Sequence, residues 1–471
     1  MGRSGNIPVL RNLSLAACLL LGEVHAATPS FERRDAAPSE AVDPPAVGWS
    51  EKARAPAADG TDPMDRDATK PRSEPAFADR TNVCKPGRLV FGFLPYWSGT
   101  SNIRWDLLTH LACFDLRVDA AGNVTNAIGW PWTSTINVAR ANDVKVIITV
   151  TNFTPSQILS LVTSVPARTN FFNQLKTHID SAGADGVCID FEGVATNGWP
   201  SHLPAFLQAL RTFANSQPRP WEIHIATPAV NWNGSWPLSQ IAPLVDSMFL
   251  MGYDYYGSWS STTGPSAPFT GGSINVNNSL RSDYGNIINN FPRKIVLGVP
   301  WYGNRWSATT SNPYSPVISH TQSVTYATAA SQVLTHGRLW DATSQTPWYR
   351  WQTTNWNQVW YDDAQSLGIK YDQANRYNLA GVGMWALGYQ GSSADMWTPI
   401  ADRFPVVCSC PCDLNFDDVV DNADFAIFAN AYNLFECPSS GACPGDFNGD
   451  RVVDNTDFAL FAAAYASFEC P

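Results

Sequence analysis

A chain of 471 residues with a hydrophobic share of 44% and a charged share of 15% is long enough for one large core plus accessory pieces. Its formal net charge of -11 argues against nucleic acid as a partner, because a phosphate backbone selects surfaces rich in Lys and Arg. The 19 Trp are many for this length, and they suit both a Trp-rich core and a surface on which the apolar faces of sugar rings stack.

The N-terminus carries Arg3 and Arg11, the apolar run "LSLAACLLLG" and then "VHA". This is the pattern of a secretory signal peptide, predicted over 1–26, so the protein is expected to be exported. "LAAC" ending at Cys18 also has the form of a lipoprotein processing site, although the apolar run continues past the Cys. Residues 27–86 are rich in Pro, Ala and charge and lack apolar periodicity, which predicts a disordered linker.

From residue 88 short apolar runs alternate with segments long enough for a helix. Strands are predicted at 88–97, 108–118, 144–152, 186–194, 221–229, 247–256, 294–303 and 381–389. Helical segments between them include "FFNQLKTHIDSAG", "LPAFLQALRTFANSQ" and "DDAQSLGIKYDQANRYNL". Eight strands with intervening helices point to a (β/α)8 TIM barrel over 87–405, an α/β fold whose site lies at the C-terminal ends of the strands. The interval between the last two strands is too long for a loop and predicts a small α+β insertion at about 304–355.

Beyond Pro405 the chain turns Cys-rich and repeats itself: "DLNFDDVVDNADFAIFANAYN" from Asp413 matches "DFNGDRVVDNTDFALFAAAYA" from Asp446. Oxygen-bearing side chains fall at loop positions 1, 3, 5, 9 and 12 of each copy. In the first they are Asp413, Asn415, Asp417, Asp421 and Asp424; in the second, Asp446, Asn448, Asp450, Asp454 and Asp457. This is the ligand spacing of an EF-hand-like Ca2+ loop, with Val419 and Val452 offering backbone carbonyls at position 7. Position 6, which favours Gly, is Asp418 or Arg451 here, and the turn is expected to be less favourable for it. A helix is predicted after each loop, giving a small α-helical domain of paired calcium loops over 408–471. Cys410 and Cys437 recur as Cys443 and Cys470, so each repeat could close its own disulfide, one of 15 ways to pair six tail Cys.

The stretch "DGVCIDFEG" (185–193) carries the chemistry. Side chains alternate along a strand, so Cys188, Asp190 and Glu192 share one face and Val187, Ile189 and Phe191 the other. The apolar set should meet the helices and the acidic set the barrel interior, with Glu192 nearest the mouth. Two buried carboxyls in a row are costly and need a reason, and no Lys or Arg is evident inside the neighbouring strands to make a structural ion pair.

The stretch resembles the "DGxDxDxE" signature of glycoside hydrolase family 18, the chitinase-type barrels. "FGFLPYW", "MGYDYYGSW", "KIVLGVPWYG" and "VGMWALGY" resemble the motifs of the family's first, sixth, seventh and eighth strands, in that order. "VWYDDAQSLGIKYDQANRYNLAGVGMWALGY" is similar to its final helix and strand, and the resemblance covers roughly 88–404. It implies a retaining, substrate-assisted mechanism without a catalytic metal, acting on chitin or related N-acetylglucosamine polymers. By the same resemblance Glu192 is the general acid and base, Asp190 holds the substrate's acetamido group, Tyr253 with Asp254 beside it donates to the acetamide oxygen, and Trp385 floors the sugar. Trp97, Tyr96, Met251 and Asp185 are further substrate-binding candidates, and Trp232, Trp259, Trp301 and Trp306 could line other subsites.

Cys188 departs from the family, standing where most chitinases have the middle Asp of the signature. A thiol there leaves one inner acid, so the like-charge coupling of a carboxyl pair is expected to be missing. A branch of the family acting on peptidoglycan also lacks that Asp, which keeps a peptidoglycan-directed N-acetylglucosaminidase open beside the chitinase. A sugar-binding lectin is a third reading, against which the retained Glu192 speaks. The tail resembles a type I dockerin, which implies a cohesin-type protein partner.

Overall fold

Eight parallel strands close on themselves in the computed structural model, which describes residues 84–125, 129–193, 199–408, 412–414, 420–432, 445–447 and 452–465. They are β1 (Leu89–Pro95), β2 (His110–Val118), β3 (Lys145–Asn152), β4 (Gly186–Phe191), β5 (Glu222–Thr227), β6 (Ser247–Met251), β7 (Ile295–Pro300) and β8 (Gly381–Trp385). Each pairs with its successor in sequence, and β8 returns to β1 with Gly381 opposite Leu89. The signal peptide and nearly all of the linker expected from the sequence lie outside the described residues.

The strands read as continuous apolar runs because helices cover them outside and side chains fill them inside. Val187, Ile189 and Phe191 of β4 join the large outer core between sheet and helices. Cys188 joins a separate inner cluster with Phe91, Phe93, Ala112, Phe114, Ile147, Phe249, Val296 and Ala380. Phe249 takes up much of that interior, and Gly298 and Gly383 leave it room: a Cβ on either would meet its ring within 2.5 Å.

The helices carry clear start and stop signals. Ser164 caps Val165–Ala182 by accepting from the Ala167 N–H, and Gly183 ends that helix at φ +59°, where a side chain would be strained. Asp363 and Ser366 form a reciprocal capping box on Ala364–Arg376.

Between β7 and β8 the chain builds a five-stranded antiparallel sheet from Tyr302–Ala308, Val317–Thr325, Leu339–Asp341, Thr346–Gln352 and Trp356–Trp360, with the helix Tyr326–His336. Its own small core is Trp306, Trp348 and Trp360, the last two stacked at 5.0 Å. Its first strand starts two residues after β7 ends, so the sheet grows from the mouth of the barrel. Cys84–Pro86 pairs with Val406–Cys408 and ties the start of the barrel region to its end.

At the barrel floor, the opposite end from the mouth, Nε2 of His110 and His224 both meet Oε2 of Glu222, at 3.0 and 3.2 Å. Lys145 takes the other oxygen, so hydrogen bonds saturate the carboxylate. Burial works against its charge, but the donors outweigh it and hold the carboxyl well below its usual range.

In the tail the helices Asn422–Tyr432 and Asn455–Tyr465 enclose a core of Cys412, Val420, Phe428, Ala431, Val453 and Phe461. Contacts come in pairs related by the 33-residue repeat. Tyr432 Oη meets Asn455 Oδ1 at 2.7 Å, and Tyr465 Oη meets Asn422 Oδ1 at 2.9 Å. Among the tail Cys, Cys412 is free and buried, while Cys410, Cys437, Cys443 and Cys470 lie outside the described residues.

Candidate active site

β4 delivers its two acids to different depths. Asp190 is 5% exposed on the inner side, and its Oδ1 has no hydrogen-bond partner among the described residues. Glu192 stands one residue past the strand end, half-buried, its N–H bonded to the Asn152 carbonyl at 3.1 Å. Burial first, and then the charge of Asp115, raise the Asp190 carboxyl to about 7. The deeper Cys188 thiol is likewise pushed up, by burial and then by Asp190.

Asp115 is the residue that the sequence reading missed, and it corrects the expectation that the thiol leaves one inner acid. It lies on β2, 4% exposed, accepting from the Thr151 hydroxyl at 2.7 Å and from Arg117 Nε at 3.1 Å. Arg117, also on β2 and two strands from β4, is the cation that accompanies Asp115. The sequence carried a signal, since "CFDLRV" puts an acid into an apolar strand just as "CIDFEG" does.

Tyr253 and Asp254 follow β6. Burial raises the Tyr253 phenol well above its usual range, with Asp190, Glu192 and Asp254 adding to the effect, so the hydroxyl remains a donor. Asp254 adopts φ +60° and accepts from the Tyr302 hydroxyl at 2.5 Å and from Ser266 at 3.1 Å. Tyr302 opens the sheet between β7 and β8, which thereby anchors the residue next to Tyr253.

Trp385 ends β8. Its ring lies 4.6 Å from Phe114 and 5.7 Å from Phe93, edge-on and tilted, and its buried Nε1 has no partner among the described residues. Trp97, Met251 and Tyr253 pack with Trp385 against the same inner cluster, and Tyr96 lies edge-on to Trp97 at 4.8 Å. These side chains therefore meet at one end of the barrel, around the two acids.

Asp185 does not belong to this group. It precedes β4 at the opposite end of the strand, where it accepts from the Val146 N–H at 2.8 Å and from Arg219 at 2.7 Å. Its role is to pin the start of β4. Trp301 and Trp306 are fully buried and cannot line a sugar subsite, whereas Trp232 and Trp259 are exposed.

The described residues of the tail loops fit a calcium ion in their donor chemistry. Asp424 and Asp457 at position 12 are completely buried, an unfavourable place for a carboxylate without partners. One oxygen of each accepts a backbone N–H from position 2 (Leu414, Phe447), the other from position 9 (Asp421, Asp454). These bonds orient each carboxylate as an oxygen ligand, and Asp413, also buried, stands at position 1. Asp446, Asp421 and Asp454 are described as well; Asn415, Asp417, Asn448 and Asp450 lie outside the described residues.

A closed (β/α)8 barrel with an acid just past its fourth strand, a second acid behind it and aromatic residues around the mouth defines a carbohydrate-processing class of barrel. The profile of "Glycosyl hydrolases family 18" matches residues 89–390, and the chain belongs to that family. It is 28% identical over 295 residues to a Bacillus subtilis protein named "Putative sporulation-specific glycosylase YdhD", covering 59% of this chain and 65% of that one. A class V chitinase of Arabidopsis thaliana is 27% identical over 333 residues, 63% of this chain and 86% of the relative. The match to human di-N-acetylchitobiase, 29% identical over 185 residues, covers 33% of this chain and 46% of the enzyme. The chain thus spans less than two thirds of YdhD and about half of the chitobiase. Among solved structures, a class V chitinase of Nicotiana tobaccum in complex with NAG4 aligns with a TM-score of 0.62 at 19% identity, over 68% of this chain and 99% of that chain. At that identity the match establishes the fold.

Proposed function

We propose that the protein is a secreted retaining hydrolase of β-1,4-linked N-acetylglucosamine polymers, chitin or chitooligosaccharides, held to a partner by a calcium-dependent tail. The observation that carries this reading is the pair of acids that β4 delivers: a buried Asp190 behind a half-buried Glu192 at the mouth. Glu192 gives its proton to the glycosidic oxygen as that bond breaks, and the substrate's acetamide oxygen closes onto the anomeric carbon as an oxazolinium. Asp190 accepts the acetamido N–H, and the Tyr253 hydroxyl donates to the acetamide oxygen. Glu192 then takes a proton from water as the water oxygen opens the ring, so configuration is retained. Two residues along a strand separate backbones by roughly 6.5 Å, enough for one carboxyl to reach the scissile bond and the other the acetamide.

A second reading, peptidoglycan as substrate, draws on Cys188 in the signature and on the similarity to YdhD. In the tail, Asp413, Asp421 and Asp424, and Asp446, Asp454 and Asp457, would hold Ca2+ as oxygen ligands, which would fix each loop against its helix. A dockerin-like module of this kind would bind a cohesin-type protein.

The test is hydrolysis of N-acetylglucosamine oligosaccharides, and separately of peptidoglycan, by the wild type and by Glu192→Gln. We expect turnover by the wild type and a loss of about 10²-fold or more in the variant. A wild type that binds but turns over neither substrate would leave the lectin.

A further inference from the structure

Asp115 and Asp190 are both buried, and Oδ1 of each lacks a hydrogen-bond partner among the described residues. One strand, β3, separates them. Thr151 of β3 is in register with Asp190, so both point into the barrel, and the Thr151 hydroxyl donates to Asp115. Asp115 can face inward beside Phe114 because the β2–β3 register shifts between Cys113 and Leu116, as at a bulge, which re-aims a side chain.

We propose that Asp115 is a positioning residue of the hydrolase, whose charge governs the proton on Asp190 and hence when Asp190 can accept the N–H of a substrate's acetamido group. This rests on the function proposed above and adds a component that Cys188 removes from β4. Two buried carboxyls that face the same interior across one strand cannot both ionise cheaply, and the proton they keep belongs where donors are fewest. Asp115 has the Thr151 hydroxyl and Arg117 Nε, whereas Asp190 has no such donor on its Oδ1. The other titratable groups facing Asp190 are Cys188 on its own strand, Glu192 beyond it and Tyr253 after β6; the first and last stay neutral, held up by burial. Burial and Asp115 together raise Asp190 to about 7. The empty site therefore holds a protonated Asp190 at mildly acid pH, and engaging an amide N–H requires that proton to leave.

Two experiments test this. The first needs no ligand: melting temperatures are compared between the parent and Asp190→Asn across pH 4 to 9, with Asp115 intact and in an Asp115→Asn background. An acid raised in the folded state contributes stability that is lost as pH rises from its unfolded value through its folded one, and the loss then levels off. We expect the difference between parent and Asp190→Asn to level off near pH 7 with Asp115 present. In the Asp115→Asn background it should level off about one pH unit lower. Arg117→Gln, at a half-exposed position that tolerates change, should move it upward by removing the neutralising cation. Unchanged levelling-off in both variants overturns the proposal.

The second experiment measures binding of the N-acetylglucosamine tetramer to Glu192→Gln against pH. Affinity should rise through about pH 7, and at about one unit lower when Asp115→Asn is added. Binding indifferent to pH overturns the link to the substrate. No binding at any pH counts against the proposed function itself, while the melting series still decides on Asp115.

Discussion

Cys188 belongs to the inner cluster that also holds Phe91, Phe93 and Phe249, two residues before Asp190 on the same face of β4. A small apolar thiol suits that place, and burial keeps it protonated. Cys188→Asp would set a third carboxyl among aromatic rings, beside two that already share too few donors. We expect it to fold with a loss of about 1–3 kcal/mol in unfolding free energy and to shift the pH profile of hydrolysis toward alkaline pH, since another like charge holds the proton on Asp190 longer. Denaturant melts and kcat/KM against pH measure both effects; an unchanged rate and profile would show that the site ignores this position. The acids of β4 were legible in the sequence because alternation alone puts 188, 190 and 192 on one face. Asp115 was not, because strict alternation in β2 cannot place residues 112, 114 and 115 on the same side. It takes the irregularity between Cys113 and Leu116, and only pairing with β3 reveals that.

At the scale of elements, the helix Ala364–Arg376 is fastened to the chain leaving the inserted sheet by a fully buried ion pair, Lys370 with Asp362. Ser366 adds a donor at 2.6 Å, and Asp362 Oδ2 has no partner among the described residues. Burial still raises the Asp362 carboxyl despite its cation, so desolvation outweighs the attraction. Lys370→Met should therefore cost about 3–5 kcal/mol, because it strands a carboxylate in the core, whereas the double change with Asp362→Leu should recover much of the loss. The signs follow from linkage. With Lys370 gone the folded pKa of Asp362 rises further, so the damage should be largest at neutral pH and shrink as acid protonates the group. Thermal melts of the three variants at pH 5 and pH 8 would show it, and equal losses at both pH values would contradict it. The barrel strands were legible within a few residues because each is a bounded apolar run. Their far ends were overextended, as at 247–256 against Ser247–Met251, because the aromatic residues after β6 belong to the site and only resemble strand. Asp185 failed for a related reason: a motif names its acids in order but not which end of the strand each occupies.

For the whole molecule, the barrel and the tail should respond to different variables. The barrel has a large continuous core, whereas the described residues of the tail supply a core of six buried side chains and two short helices. So small an apolar core rarely stabilises a domain by itself. It also encloses Asp424 and Asp457, whose charge is tolerable only with ligands or donors around it. If each loop binds Ca2+, binding to the folded form alone stabilises the tail by about 2.7 kcal/mol at an ion concentration 100 times Kd. Chelator should then lower and broaden a transition belonging to residues 408–471 while leaving the barrel's main transition in place. Asp424→Ala should abolish most of that calcium response, and Asp457→Ala should do the same for the second loop, because the repeat places the two in equivalent positions. The two changes together should cost less than the sum of the single ones, since each helix packs on its counterpart through Phe425 with Phe461 and Phe428 with Phe458. Hydrogen exchange with and without calcium, resolved by region, separates the two parts of the chain. Protection in the tail that ignores both chelator and Asp424→Ala would leave the loops as acidic turns and would remove the basis for a calcium-dependent partner.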